Sequence, residues 1–234
     1  MPDKRKHRGA NPQDSKLFSG DNISALRQAT ADYSLLLTKD YPQNAALKLV
    51  GDKFELTDRQ RLAVMRSSCS DRRLAARLAK QLRPQELAGQ KIIIDGYNVL
   101  ITVEAAKSGA FLFIGRDGCI RDLAGMHGTY RKVAETIPAI ELINNCLKEL
   151  KLNQILWLLD RPVSNSGRLK KIIETVTGGT VRLINNPDTE LIKSDAAAAS
   201  SDSAVLDGAK RWFSLAAYII GETALPAKII DLSD

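Results

Sequence analysis

The sequence contains few of the residues that build covalent or metal-bridged frameworks. Its 3 cysteines, Cys69, Cys119 and Cys146, are odd in number, lie far apart and form no C-x-x-C pair. Disulfide and zinc frameworks are therefore not expected, and a reducing, cytoplasmic environment is the default expectation. Aromatic residues make up only 5% of the chain, which argues against recognition of nucleic acid by rows of stacked bases.

Long apolar runs are also missing. No stretch approaches the roughly 20 apolar residues that a membrane-spanning helix needs. The first residues carry no apolar segment of the secretory type. A membrane partner is therefore not expected. The sequence also has no G-x-x-x-x-G-K-[ST] loop, so nucleotide hydrolysis of the P-loop kind is disfavoured.

The excess positive charge is confined to the N-terminal part of the chain. The formal net charge is +7, with 17 Lys and Arg against 10 Asp and Glu in residues 1–90, and 17 against 17 in residues 91–234. This asymmetry fits an acidic polymer as partner, and nucleic acid is the commonest such polymer. The alternative is a solubilising surface with a basic tail.

Three segments of different character are predicted along the chain. Residues 1–19 are polar and basic, and we expect them to form a disordered arm. Residues 20–88 place apolar residues at helical spacing and predict a small, basic all-α domain, which either contacts nucleic acid or serves packing or dimerisation. Proline and glycine up to Gly89 mark the boundary to an α/β domain over residues 89–234.

Predicted strands alternate with amphipathic helices in the second part of the chain. This alternation favours a mostly parallel five-stranded sheet that is covered by helices on both faces. The expected strands are 91–95, 154–160, 180–185, 196–201 and 227–232. The expected helices are 119–134, 137–151, 166–177 and 203–220.

Aspartates end three of these predicted strands. KIIID ends on Asp95 and is followed by Gly-Tyr-Asn, ILWLLD ends on Asp160, and AAAASSD ends on Asp202. Because open parallel sheets bind ligands at the carboxyl ends of their strands, the three aspartates suggest a metal-dependent site. The alternative for each is a carboxylate that caps the next helix, as Asp202 would do for the helix at 203–220.

These segments resemble a known superfamily. KIIIDGYNVL is similar to the opening strand of PIN-like nucleases, above all of their NYN and YacP branches, and ILWLLD and SDAAAASSDSAVL resemble later acidic segments of that fold. A helical N-terminal region followed by DGYN, GRDGCIRDLAGMHGTYR and LLDRPVSNSGRL also resembles the uncharacterised 434 family of unknown function. The first resemblance implies a PIN-like, Rossmann-like sheet in residues 91–234.

The PIN-like resemblance implies a metal-dependent nuclease, with RNA as the expected substrate. The strand-end acids of this fold converge on one or two divalent cations, and Mg²⁺ or Mn²⁺ suits such oxygen ligands. The implied catalytic residues are Asp95, Asp160 and Asp202. The implied metal ligands are the same three together with Asp195, for which capping is the alternative.

Further polar residues are candidates for holding the substrate. The segment 115–131 concentrates charge between glycines, and it is either an insertion that lines the cleft or a helix in which Asp117 pairs with Arg121. Asn98 either serves the site, by orienting Asp95 or contacting a phosphate, or is an ordinary turn residue. The Ser-Asn-Ser run at 164–166 either holds a phosphate or is an ordinary helix cap. The candidate substrate-binding residues are Asn98, Arg116, Arg121, Asp122, His127, Arg131, Ser164, Asn165 and Ser166.

Two other functions stay open at this point. A catalytically silent PIN-like protein would bind nucleic acid only, and no clear helix-borne acid lies between the first two acidic strands, where Asp122 is a candidate. A small-molecule phosphohydrolase is the other alternative. The IIIDG segment is similar to that of haloacid-dehalogenase-type phosphatases, but Tyr97 stands where these need a second Asp. The oligomeric state is open, and a homo-oligomer is compatible with the sequence.

Overall fold

The N-terminal part of the chain is helical. The computed structural model describes residues 7–9, 11–125 and 128–233. The helices of this part are α1 (Asp14–Leu17), α2 (Asp21–Thr38), α3 (Gln43–Lys53), α4 (Asp58–Ser67) and α5 (Asp71–Leu78), and a 3₁₀ turn follows at Pro84–Glu86. Helix α4 begins with a capping box, in which the Thr57 side chain and the Gln60 side chain each accept from the other's backbone N–H.

Strands and helices alternate from Lys91 onward. The strands are β1 (Lys91–Asp95), β2 (Phe111–Ile114), β3 (Ile120–Arg121), β4 (Gln154–Asp160), β5 (Thr180–Ile184), β6 (Ala197–Ala199), β7 (Trp212–Phe213) and β8 (Lys228–Asp231). The helices are α6 (Gly96–Lys107), α7 (Thr136–Glu149), α8 (Ser166–Thr177), α9 (Pro187–Lys193), α10 (Ser203–Gly208) and α11 (Leu215–Glu222).

A five-stranded parallel sheet lies at the centre of this part. Its strand order is β5-β4-β1-β6-β7, and every neighbouring pair is parallel. Alternate residues of β1 point to opposite faces, so that Ile92 and Ile94 pack in one core with helices α6, α7 and α8, whereas Ile93 packs in another with α9 and α10. The predicted mixed α/β fold, with helices on both faces, is confirmed.

One predicted strand belongs to a different sheet. β8, expected as 227–232 in the main sheet, pairs with β2 in a second, three-stranded sheet of order β3-β2-β8. The fifth strand of the main sheet is instead β7, whose Trp212 exchanges backbone hydrogen bonds with Lys80 and Leu82. Those bonds interrupt the predicted helix 203–220, which is divided into α10, β7 and α11.

The described residues of the segment at 115–131, namely 115–125 and 128–131, are not helical, contrary to the prediction of a helix over 119–134. They contain the short strand β3, which pairs with β2, and irregular backbone around it. Gly118 and Gly128 adopt positive φ of 72° and 66°, where L-residues with a side chain are disfavoured. Conversely, the sequence analysis overlooked α6, which starts at Gly96 directly after the first acidic strand.

The helical region and the second sheet share one hydrophobic core. Leu26, Tyr33 and Val64 from α2 and α4 are buried together with Phe113 of β2 and Ile230 of β8. The predicted boundary near residue 89 coincides with the start of β1, but the two regions are packed as one body at this core. Residues 20–88 therefore pack on the α/β region through this core.

The N-terminal segment also packs against both regions. Phe18 is buried against Phe113, with ring centroids 4.8 Å apart, and Asp14 forms a buried ion pair with Arg59 of α4. Arg8 donates from Nε to the buried Glu104 carboxylate of α6 at 2.7 Å. These contacts correct the predicted disordered arm over residues 1–19 for its described parts, 7–9 and 11–19. None of the helices in the described ranges is both long and apolar enough to cross a membrane.

Candidate functional site

A cavity of about 560 Å³ lies between the helical region and the carboxyl end of the five-stranded sheet. The sheet contributes a floor of acidic side chains. The helical region contributes a wall of mixed character, with Tyr33 and Leu37 from α2, Met65 and Arg66 from α4, and Arg73 from α5. The cavity therefore places acidic groups opposite apolar and cationic ones.

Three of the predicted aspartates line this cavity together. Asp95 is the last residue of β1, Asp160 is the last residue of β4, and Asp202 follows β6. Since β4 and β6 are the two neighbours of β1 in the sheet, parallel pairing brings the three strand ends side by side. The structure thus brings Asp95, Asp160 and Asp202 to one site.

A fourth carboxylate, Asp188, lines the same cavity and was missed in the sequence. It lies in the first turn of α9, just after β5, and Asn186 caps that helix by accepting from the Thr189 N–H at 3.1 Å. The run Asn-Asn-Pro-Asp directly after the predicted strand 180–185 was the available signal. The sequence had offered no clear helix-borne acid between the first two acidic strands. Asp188 is a helix-borne acid at the site, although it follows β5.

Asp95 is the most deeply buried of these acids, with 8% of the residue exposed. Burial raises the pKa of Asp95 to about 7, and the negative charges of Asp188 and Asp202 add to this effect. A hydrogen bond from Ser200 Oγ to Asp95 Oδ2, at 2.8 Å, acts in the opposite direction. Asp95 is therefore an ionisable group whose negative charge is poorly compensated by the protein.

The neighbouring acids carry related shifts. Burial raises the pKa of Asp160, and the charge of Asp188 raises it further. The pKa of Asp188 is likewise raised by burial and by the charge of Asp202. Each of these carboxylates is thus close enough to another one to disfavour its ionisation.

A short hydrogen-bond network fixes the loop that follows β6. Ser200 Oγ accepts from the Asp202 N–H at 3.0 Å while donating to Asp95, so one hydroxyl links two acids. Asn98 Oδ1 accepts from the Ser201 N–H at 2.8 Å and from its hydroxyl at 2.9 Å. Asn98 therefore holds this loop against α6, a role that neither alternative in the sequence had described.

Asp202 both caps a helix and lines the cavity. Its Oδ1 accepts from the Ala204 N–H at 2.8 Å and from the Val205 N–H at 3.3 Å, which is the geometry of an N-cap. The capping alternative is therefore realised at this residue. Because the same side chain lies in the cavity, capping orients it and does not remove it from the site.

A second buried acid, Asp117, lies close to the cavity and is fully compensated. Arg121 binds both of its oxygens, at 2.8 and 2.7 Å, and Arg77 of α5 binds Oδ2 at 2.6 Å. Burial alone would raise the pKa of Asp117, but the hydrogen bonds and charges of Arg121 and Arg77 outweigh it and lower the pKa to about 2. Arg121, a predicted substrate contact, is thus engaged in this buried cluster although it also lines the cavity.

Asp122 lies at the edge of the cavity and is held by neutral donors. Its Oδ2 accepts from the Thr102 hydroxyl at 2.8 Å, and its Oδ1 accepts from the Ala124 N–H at 2.7 Å. Arg66 donates to the Asp122 carbonyl and lies 3.7 Å from its carboxylate. Asp122 therefore joins α4 to α6, and its carboxylate is less available than those of the strand-end acids.

Tyr97 differs from the other polar residues of the cavity wall. Only 3% of this residue is exposed, and its hydroxyl has no hydrogen-bond partner within the described part of the chain. Its ring packs on Tyr130 with centroids 5.4 Å apart. Burial raises the pKa of Tyr97, and the charge of Asp160 raises it further, so the hydroxyl stays protonated at neutral pH.

Asp195 and two of the predicted arginines lie elsewhere. Asp195 precedes β6, at the end of the strand opposite to Asp202, and its exposed carboxylate pairs with Lys210 at 2.5 Å. Asp195 therefore does not belong to the acidic site, contrary to the prediction that it is a metal ligand. Arg116 donates to the Cys69 carbonyl and to Asp71, and Arg131 provides a carbonyl that accepts from Arg8.

The remaining predicted substrate contacts also have other partners. Ser164 exchanges backbone hydrogen bonds with Gly128 and Tyr130, and Asn165 donates its amide to the Tyr130 carbonyl at 3.0 Å. Ser166 donates its hydroxyl to the Arg161 carbonyl. The three residues fasten the segment at 128–130 and do not line the cavity. His127, another predicted substrate contact, lies outside the described residues.

The spacing of the acids bears on the predicted metal. Across residues 7–9, 11–125 and 128–233, no three His, Cys, Asp or Glu side chains lie close enough together to form a metal-binding group. Mg²⁺ keeps several waters, however, and commonly takes only one or two carboxylates from the protein. The oxygen-only donors of the cavity therefore fit a hydrated Mg²⁺ or Mn²⁺ ion, and they do not fit a fully protein-ligated cation.

Comparisons with known proteins place the chain among relatives without an assigned reaction. A model described as domain of unknown function (DUF5616) matches residues 84–218, which is more than half of the chain, and one described as protein of unknown function (DUF434) matches residues 25–80. The uncharacterized protein MJ0935 of Methanocaldococcus jannaschii is 31% identical over 187 residues, which cover 78% of this chain and 89% of that protein. No solved structure matches the chain.

The chain therefore belongs to the DUF5616 family, with a DUF434 region preceding it. The predicted resemblance to the 434 family is confirmed by these matches. No matching family model is a PIN-like nuclease, so that resemblance remains a prediction.

Proposed function

We propose that this DUF5616-family protein is a Mg²⁺- or Mn²⁺-dependent nuclease that hydrolyses phosphodiester bonds, with RNA as its substrate. The observation that supports the proposal most directly is the convergence of Asp95, Asp160, Asp188 and Asp202 on one cavity. The pKa values of Asp95, Asp160 and Asp188 are raised, and perturbed pKa values of this kind cluster at active sites. The excess charge of the N-terminal region favours a polyanionic substrate.

Asp95 and Asp202 are the proposed cation-holding residues. Both lie beside Ser200, whose hydroxyl donates to Asp95 and accepts from the Asp202 N–H, so their separation is fixed before a ligand enters. A bound cation would neutralise these carboxylates and make a coordinated water more acidic. Asp160 and Asp188 complete the acidic floor, and burial raises the pKa of both carboxylates.

The opposite wall is proposed to position the substrate. Arg66 of α4 and Arg73 of α5 line the cavity whose floor the acids form. The Arg73 side chain is 48% exposed and lies 3.5 Å from Asp207, so its charge remains accessible to a phosphate. Arg77 forms ion pairs with Asp117 and Asp207 and is not assigned to the substrate. The apolar Leu37 and Met65 beside these arginines could accommodate a base.

The Asp95→Asn variant tests the proposal. The substitution preserves size and removes the ionisable group, so Mn²⁺-dependent cleavage of an RNA oligonucleotide should fall at least about 100-fold. RNA binding should persist or tighten, because one carboxylate that repels phosphate is lost. The Asp195→Asn variant is the matched control, since Asp195 is exposed and at the other end of β6. It should cleave at the wild-type rate.

A nucleic-acid-binding protein without turnover is the second candidate. The absence of a three-carboxylate group among the described residues favours it over a tightly ligated metal enzyme. Wild-type protein that binds RNA but cleaves neither RNA nor DNA with Mg²⁺ or Mn²⁺ would support this candidate against the nuclease. Cleavage that survives both Asp95→Asn and chelation would contradict the proposed site.

A further inference from the structure

The buried hydroxyl of Tyr97 is not explained by the packing of the protein. Tyr97 lies in the first turn of α6, two residues after Asp95, and lines the cavity with Asp95 and Asp160. Its Oη is buried and has no hydrogen-bond partner among the residues that the structure describes. Buried polar groups are nearly always hydrogen-bonded, so a group without a protein partner beside a cavity points to a ligand.

The ring of Tyr97 is fixed in place, which makes its hydroxyl a preorganised donor. It packs on the ring of Tyr130 at 5.4 Å between centroids, with the planes tilted by 44°. Tyr130 is itself held by a hydrogen bond from its hydroxyl to Glu104, and Thr136 donates to the same carboxylate oxygen. The two packed tyrosines thus differ in one respect: the hydroxyl of Tyr130 is satisfied by protein, and that of Tyr97 has no partner among the described residues.

We propose that Tyr97 Oη donates a hydrogen bond to a non-bridging phosphate oxygen of the substrate. This inference rests on the proposed function and adds a residue to it. Phosphate oxygens only accept hydrogen bonds, and a phenolic hydroxyl can donate one. The adjacent acids of the floor cannot supply a donor while ionised, so Tyr97 would provide what they lack.

Two matched variants, Tyr97→Phe and Tyr130→Phe, distinguish a ligand contact of Tyr97 from a structural role. Tyr97→Phe removes a hydroxyl that has no protein partner, so the melting temperature should stay the same or rise. Cleavage of an RNA oligonucleotide with Mn²⁺ should lose about 10-fold to 100-fold in kcat/KM, which is typical for a hydrogen bond to a charged group. Binding of the same oligonucleotide with Ca²⁺ in place of Mn²⁺ should weaken about 10-fold.

Tyr130→Phe should give the opposite pattern. It removes a donor from the fully buried Glu104, so the melting temperature should fall while kcat/KM and the oligonucleotide affinity of the folded protein stay at wild-type values. Equal affinity and kcat/KM in wild type and Tyr97→Phe would overturn the inference and leave the nuclease proposal intact. A loss of thermal stability in Tyr97→Phe like that in Tyr130→Phe would also overturn it.

The binding measurement keeps the two proposals apart. Wild-type protein that binds the oligonucleotide but does not cleave it contradicts the nuclease proposal, and the role of Tyr97 is then decided by affinity. Weaker binding by Tyr97→Phe in that case supports the phosphate contact. Wild-type protein that neither binds nor cleaves contradicts both.

Discussion

Two buried carboxylates, Asp95 in the cavity and Asp117 close to it, differ in what compensates their charge. Asp117 is bound by Arg77 and Arg121, which lower its pKa to about 2. Asp95 accepts from the Ser200 hydroxyl and the Asn98 backbone and has other acids nearby, and burial raises its pKa to about 7. One site thus favours the ionised carboxylate, and the other disfavours it.

This difference distinguishes an ion pair that connects two regions of the protein from a proposed functional site. Arg77 comes from the helical region and reaches Asp117 and Asp207 of the α/β region, so the compensated group fastens the two regions together. Among the residues that the structure describes, the acids at the strand ends join no elements through ion pairs. Charge that is buried without compensation lowers stability, and it is commonly retained where a ligand or cation supplies the missing partner.

The largest expected effect is the loss of the compensated acid. Asp117→Asn would leave the buried guanidinium of Arg121 without its carboxylate and Arg77 with Asp207 alone, and the free energy of unfolding should fall by about 3–5 kcal/mol. Chemical denaturation at pH 7 measures this. Asp71→Asn is the control, because its pairing with Arg116 is solvent-exposed and should contribute less than about 1 kcal/mol. Equal losses in the two variants would contradict the assignment of Asp117.

Removal of the uncompensated carboxylate of Asp95 should increase the free energy of unfolding, whereas removal of the Asp117 carboxylate should decrease it. The pKa of Asp95 rises from 3.8 to about 7 on folding, which at about 1.4 kcal/mol per unit sets an upper bound of about 4 kcal/mol for its destabilisation above pH 7. Asp95→Asn should therefore raise the free energy of unfolding at pH 8.

The pH dependence of this gain checks its cause. Between pH 4 and 7 the folded protein retains a proton at Asp95 that the unfolded chain has released, so this residue makes wild-type stability fall as pH rises through that window. The gain from Asp95→Asn should shrink as pH is lowered from 7 to 4. Asp117, whose pKa is lowered, contributes stability that is fully present above pH 4 and is lost only as pH falls toward 2. A gain that is independent of pH would contradict the ionisation of Asp95 as its source.

Cation binding should stabilise the folded protein by neutralising the strand-end acids, and it should have no such effect at Asp117. Mg²⁺ or Mn²⁺ at 100 times its Kd would add about 2.7 kcal/mol, or roughly 5–10 °C in Tm for a chain of this size. The increase should be larger at pH 8 than at pH 5, because protons compete with the cation for Asp95. Thermal unfolding with and without cation measures it. An equal increase in Asp95→Asn would place the cation elsewhere.

The smallest expected effect concerns two arginines of one helix. Arg73 lies half-exposed in the cavity wall, whereas Arg77 of the same helix is buried against Asp117. Arg73→Gln should change stability by less than about 1 kcal/mol and reduce the salt dependence of RNA binding by about one phosphate contact. Fluorescence anisotropy over a series of salt concentrations measures the slope. An unchanged slope would remove Arg73 from the proposed substrate wall.

The local sequence predicted much of the fold and part of the site. Apolar runs ending on Asp95 and Asp160 predicted β1 and β4 because a fully buried parallel strand needs little more than a continuous apolar segment. The same periodicity was ambiguous in segment 115–131. There, Asp117 and Arg121 are paired as a helix would pair them, but across a glycine turn into β3.

What the sequence by itself determined is the position of β1, β4, β5 and β6 and of the acids at or just after the ends of three of these strands, since both depend on neighbours within a few residues. Only the tertiary structure decided which acids share a cavity and which are neutralised. Asp188 joins the site from α9, Asp195 falls at the far end of β6, and Arg77 reaches Asp117 across 40 residues. Compensation of a buried charge depends on groups brought together by long-range packing, and local spacing carries no record of them.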